Sequence, residues 1–256
     1  MKLFVAGTEI TQLIEKVTTS GSKSECARTL TATVLQTPDD PNLPVVPLEL
    51  GLPVVFSADG QKLTGEITGL SKSTSSNTVT LTAKDLGYRL TQDANKVTTA
   101  IKKLTPQAAA AQLASSKGVP VGDLAAADTQ FSRKFADVKL YDAIMAGYIA
   151  DSKQTDKKYY MIMDGTNLCI RERGKIVATT IESKVNLMVA SFSESINAAG
   201  ETERKGTVQN IGDALCITGN AVKVVEPNTG MVGVFFIDSD THTWQRGIYT
   251  NSLTLA

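Results

Sequence analysis

The chain has 256 residues, enough for one large core or two to three small ones, and its 26 basic side chains are balanced by 26 acidic ones. With no net charge there is no strong field to draw it to nucleic acid or to an anionic membrane, and a polyanion partner is disfavoured. Three widely spaced cysteines, Cys26, Cys169 and Cys216, form no CxxC pair and leave at least one thiol unpaired in any disulfide scheme, so free reduced thiols are expected.

In chain order, MKLFVAGTEI has neither the apolar run nor the small-residue cleavage pattern of a secretory signal. Residues 29 to 35, TLTATVL, alternate threonine with Leu30, Ala32 and Val34, the period of a half-buried strand, and TVTLTA at residues 78 to 83 repeats it. Between them PVVF and LTGEITG flank Asp59-Gly60, a dipeptide suited to a tight hairpin because it tolerates positive φ. The proline-rich TPDDPNLPVVPLELG, residues 37 to 51, is predicted to be a loop, and SKSTSSN, residues 71 to 77, a hairpin tip.

The pattern changes near Asp93. TPQAAAAQLASSKGVP, from Thr105, predicts a helix with Thr105 as N-cap, proline in the first turn, and Gly118 and Pro120 as stops. In KLYDAIMAGYI, Leu140, Tyr141, Ile144, Met145 and Tyr148 form one stripe, a second helix. YYMIM, Asp164-Gly165 and NLCIR then predict a hairpin. After Lys175 the chain returns to strand patterns: residues 183 to 196, a polar turn at Ala198 to Thr202, then TVQ, AVKVV, GMVGVFFI and the alternating SLTL. The fold class expected is mixed β with an α+β insert: two small β-barrel domains flanking a helix and β-hairpin domain, bounded at 1–91, 92–182 and 183–256.

Chemistry has one obvious place to reside. FFIDSDTHTW, residues 235 to 244, holds the sole histidine and the sole tryptophan. Asp238, Asp240 and His242 alternate, and on a strand they would share a face as an ion site could use. A closed zinc site needs more ligands, the calcium-loop pattern is incomplete, and Asp, Ser and Thr are ordinary turn residues. The segment is therefore read as a polar turn between two strands, with a solvent-facing His242. Ser-His-Asp or Cys-His catalysis would have to run through that histidine, but no G-x-S-x-G elbow accompanies it. No phosphate-binding glycine motif is present, and the short basic pairs, such as Lys102-Lys103 and Arg171-Glu172-Arg173, read as solvated surface. No catalytic, cofactor-binding or metal residue is expected, and no cofactor.

Four pieces, taken in order, resemble the XkdQ/YqbQ-type hub proteins of contractile phage tails and related tailocins, relatives of the late-control gene D group. They are PVVFSADGQKLTGEITGLSKSTSSNTVTLTAKDLGYRL, LTPQAAAAQLASSKGVPVG, KLYDAIMAGY with YYMIMDGTNLCIRE, and GVFFIDSDTHTWQRGIYTNSLTLA. The resemblance implies a non-enzymatic baseplate hub: a homotrimer whose two barrels per subunit make a pseudo-sixfold ring. Its partners would be the hexameric tail tube protein, the trimeric spike protein and other baseplate or tape-measure proteins. It implies a place in the virion tail baseplate or tailocin particle, assembled in the host cytoplasm, with no sequence-specific nucleic-acid binding and no membrane insertion by this chain. The alternatives are a cell-wall-degrading enzyme or a surface-binding module of the same injection machine.

Overall fold

Alternating threonine and aliphatic residues build most of the first third. The computed structural model describes residues 1–36, 41–42, 46–72, 77–196, 200 and 202–256. The predicted proline loop, the tip at 71 to 77 and the turn at 198 to 202 thus lie partly outside the described residues. The chain divides into two units, one of residues 1–23, 28–84 and 174–256, the other of residues 24–27 and 85–173.

In the first unit, β1 (Lys2–Val5), β2 (Thr8–Glu9), β3 (Ile14–Ser22), β4 (Thr29–Leu35), β5 (Pro53–Ala58), β6 (Gln61–Lys72) and β7 (Thr78–Asp85) make the N-terminal barrel. In β4 each threonine is half exposed while Leu30, Ala32 and Val34 are buried, as the alternation predicts. Asp59 and Gly60 turn the β5–β6 hairpin with φ of 45° and 89°, a conformation that glycine adopts freely and aspartate tolerates. The core here gathers Leu3, Val17, Leu30, Phe56, Leu81 and Trp244.

The second unit begins with β8 (Val97–Leu104), α1 (Pro106–Ser115), β9 (Val121–Leu124) and β10 (Phe131–Val138). It continues with α2 (Leu140–Thr155), β11 (Tyr159–Asp164) and β12 (Asn167–Glu172). Both helices and the β11–β12 hairpin follow the prediction, although Thr105 holds the N-cap position with extended backbone and no side-chain cap bond. Leu140, Ile144, Met145 and Tyr148 are buried on α2. Gly147 allows α2 to approach α1 closely, for a Cβ there would lie 3.0 Å from the Pro106 Cα and 2.6 Å from the Phe131 ring. The antiparallel pair β8–β10 and the strand β9, parallel to β12, were not predicted. In β8 burial falls on Val97 and Ile101, four residues apart, and Lys103 and Asp137 take positive φ, so bulges erase the period of two.

The first unit resumes with β13 (Val177–Glu182), β14 (Leu187–Ile196), β15 (Thr202–Ile211), β16 (Ala221–Glu226), β17 (Met231–Gln245) and β18 (Ile248–Leu255). They enclose a separate core of Ile181, Val208, Val224, Ile237 and Leu255. Among the described residues the sheet has thirteen strands, running β14-β15-β18-β17-β3-β4-β7-β6-β5-β1-β2, with β13 and β16 branching from β17. β17 is what joins the two barrels. Its 15 residues span roughly 50 Å, pairing first with β16 and then with β3, and it contributes Phe235 and Ile237 to one core and Trp244 to the other.

This overturns the reading of Asp238 to Thr243 as a turn. Those residues are the middle of β17, and the reversal comes later, at Arg246-Gly247, where φ is 52° and 78°. His242, expected to face solvent, has 0 % exposure.

Candidate functional site

The alternation of β17 turns Asp240, His242 and Trp244 to the inner face, where a strand of the sheet normally presents apolar side chains. A buried carboxylate has to be paired, and partners arrive from far along the chain. Arg28, just before β4, donates from Nη1 to Asp240 Oδ1 at 3.0 Å and from Nη2 to Oδ2, a two-pronged pair. Thr218, on the segment leading to β16, donates its backbone N–H and its hydroxyl to Oδ1, each at 2.6 Å. Burial alone would raise the Asp240 pKa. The Arg28 guanidinium beside it, with hydrogen bonds from His242 and Arg28, more than offsets that and holds the carboxyl well below the usual range.

His242 extends the network. Its Nε2 lies 3.2 Å from the Cys216 carbonyl oxygen and 3.3 Å from Asp240 Oδ2. Both are acceptors, which places a proton on Nε2, and Nδ1 is hydrogen-bonded to the Tyr249 hydroxyl at 2.7 Å. Tyr249 stacks on Trp244 with ring centroids 4.6 Å apart, and Trp244 Nε1 donates to Asp59 Oδ2 at 2.8 Å. Asn251 donates to the Asp213 carbonyl oxygen at 2.8 Å, tying β18 to the segment after β15. In the second unit a smaller internal cluster has Tyr159 and Thr155 hydroxyls donating to Asp151 Oδ2 at 2.6 and 3.0 Å.

Cysteine, histidine and aspartate thus meet in one place, but not as a nucleophile and its base. His242 faces the carbonyl of Cys216, not its thiol, and both residues have 0 % exposure. Burial, and then the Asp213 carboxylate, push the Cys216 thiol up to about 12, the opposite of an activated nucleophile. The three possible ion ligands do not converge: Asp238 pairs with Lys23 at a strand irregularity, while Asp240 is taken by Arg28 and Thr218. Among the described residues no group of three or more His, Cys, Asp and Glu is placed to hold a metal ion. The arrangement can lock β17 against β4 and the segment before β16; it offers a substrate no route to the imidazole.

Sequence reasoning singled out Asp240 and His242 but read them as residues of a wet turn, and it missed Arg28, Thr218, Tyr249 and Asn251. One signal was available: Asn251 shares its side of β18 with buried Leu253 and Leu255, a polar residue at an apolar parity.

A direct consequence concerns the thiols. None of Cys26, Cys169 and Cys216 is in a disulfide and all three are buried, so in the folded protein none will react with a thiol reagent at pH 8, and all three will react in denaturant. Rapid titration of a native thiol would contradict the burial described here.

Comparison with known proteins adds the family and the fold. A family model described as YQBQ-like matches residues 17–202 and 197–256. No curated protein matches the chain. The 43 kDa tail protein of prophage MuSo2 from Shewanella oneidensis is similar in structure, with a TM-score of 0.74 and 11% identity over 100% of this chain and 97% of that one. A tail protein from Neisseria meningitidis MC58 gives 0.69 at 15% identity, covering 99% of this chain and 95% of that one. The E. coli c3393 protein, described as a type VI secretion component with structural similarity to the T4 tail proteins gp27 and gp5, gives 0.65 at 12% identity, covering 100% and 76%.

Proposed function

The chain belongs to the YQBQ-like family, and from that premise we propose that it is the structural baseplate hub of a contractile phage tail or a phage-tail-like bacteriocin. The observation that carries the reading is whole-length agreement with a tail-protein fold, 100% of this chain against 97% of the Shewanella prophage protein. In this role three copies form an adapter between the hexameric tail tube and the trimeric spike. Residues 1–91 and 183–256, the latter with β13 added to it, supply the two tube-like barrels of each subunit, and the residues from 92 to the start of β13 form the domain that intervenes in the chain. The role needs edges that adjoin neighbours rather than a reaction centre, and the polar cluster around Asp240 is internal and structural, which fits a protein that is not an enzyme. Its place would be the virion tail baseplate or tailocin particle, after assembly in the host cytoplasm.

Mass measurement and electron microscopy of the purified protein, alone and mixed with its tube protein, test this. A ring of three copies, or one formed on mixing, is the expected result. A protein that stays monomeric and engages neither tube nor spike overturns the proposal.

A further inference from the structure

Two basic pairs that stand far apart in the chain, Lys102-Lys103 and Arg133-Lys134, are brought together in the second unit. β8 and β10 form a sheet of their own, with Arg133 opposite Ile101 and Lys134 opposite Ala100. Lys102, two residues on from Ala100, therefore shares a face with Lys134. In regular strands Lys103 and Arg133 would be turned inward with the buried Ile101 and Phe135. Neither is. Lys103 takes a φ of 48°, a conformation lysine seldom adopts, and its N–H donates to the Ser132 hydroxyl at 3.0 Å. Arg133 lies over the Phe135 ring, 5.6 Å from its centroid. All four cations are thereby exposed on one short ribbon.

The fold leaves this charge unneutralised. Among the described residues none of the four has an ion pair. Asp137, the one acid on either strand, is engaged by Lys96 at 3.1 Å. The β14–β15 hairpin, by contrast, meets its Arg204 and Lys205 with Glu194 and Glu203 at 2.8 and 3.0 Å. Like charges gathered on paired strands repel one another, a cost that an anionic partner removes. The other exposed side chains nearby, Thr98, Ala100, Ser132 and Ala136, are small and leave the cations open to an approaching chain.

We infer that the β8–β10 ribbon is a docking surface for an acidic segment of another protein, whose carboxylates supply the complementary charge. Nucleic acid calls for a longer track of cations and for exposed aromatic faces, and a membrane surface for large apolar groups that can insert. The only aromatic side chains on the two strands, Phe131 and Phe135, are half-buried and buried. The inference goes beyond the hub reading and takes from it only that the chain works within an assembly.

Fluorescence anisotropy of a labelled oligoglutamate peptide with the full chain tests it. The peptide should bind at low salt and be released as salt rises. Lys102→Glu combined with Lys134→Glu should weaken binding by about tenfold or more, and should bind labelled oligolysine in exchange. Lys62→Glu combined with Lys72→Glu makes the same change in net charge at two exposed positions of the first unit, and should leave the peptide affinity as it was. Circular dichroism should show both variants folded, since all four positions are exposed. Absence of peptide binding, or an equal loss in both variants, overturns the docking surface. Tighter binding of a DNA duplex or of phosphatidylserine vesicles, lost in the Lys102→Glu, Lys134→Glu variant, also overturns it by giving the ribbon to nucleic acid or to lipid. The hub reading stands or falls separately, on the ring of three copies.

Discussion

Asp240→Ala will lower the unfolding free energy by about 3–5 kcal/mol, the cost of leaving one member of a buried ion pair without the other. The Arg28 side chain is 13% exposed and that of Asp240 0%, so removal of the carboxylate takes a two-pronged counter-charge from a guanidinium that water reaches poorly. It also leaves the Thr218 N–H and hydroxyl and His242 Nε2 without an acceptor they now share. Arg28→Met should cost a comparable amount, because it strands the carboxylate instead. Urea denaturation at pH 7 followed by circular dichroism measures both. Losses below about 1 kcal/mol, the range of solvent-exposed pairs, would show that the junction is wet rather than buried. Acid adds a second signature. The folded carboxyl is held below its ordinary value, so its stabilisation is complete above the unfolded carboxylate pKa of about 3.9 and is lost as pH falls below it toward the folded value. Between pH 4 and pH 2 the natural protein should therefore lose more stability than Asp240→Ala does.

Trp244→Ala is expected to cost a similar amount, about 3–5 kcal/mol, through a large cavity in a well-packed core. Trp244 is 5% exposed, stacks on Tyr249 and meets Phe56 edge-on at a centroid distance of 5.0 Å. Its indole N–H also anchors Asp59, at the β5–β6 turn, so the substitution leaves an acceptor behind as well as a void. Trp244→Phe, which keeps most of the ring area but not the donor, should lose less. The two variants separate packing from the hydrogen bond when their denaturation midpoints are compared. Equal stability of the alanine variant and the natural protein would mean that the second half of β17 contributes nothing to the N-terminal core.

Local pattern was enough to recognise much of this architecture. The threonine-aliphatic alternation of β4 and β7, the Asp59-Gly60 turn, the alanine-rich α1, the stripe of α2 and the β11–β12 hairpin all appear where the residues placed them. The four sequence pieces that resemble the hub family pointed the same way as the family match. Strands whose burial does not alternate escaped notice, as β8 and β10 show with their positive-φ irregularities at Lys103 and Asp137.

FFIDSDTHTW shows where sequence reasoning stops. Its residues Asp238 to Thr243 are polar on both sides of the strand, and a local rule that assigns polar residues to water makes such a run a turn. By itself the sequence determined which segments can be strands and helices, since propensity and periodicity belong to neighbouring residues. The tertiary structure decided that Asp240 and His242 are interior, because the groups that satisfy them stand far away in sequence: Arg28 is 212 residues from Asp240, and Cys216 is 26 from His242. A buried polar residue is stable only when its partner is in place, and no periodicity in the sequence records a partner brought in by folding.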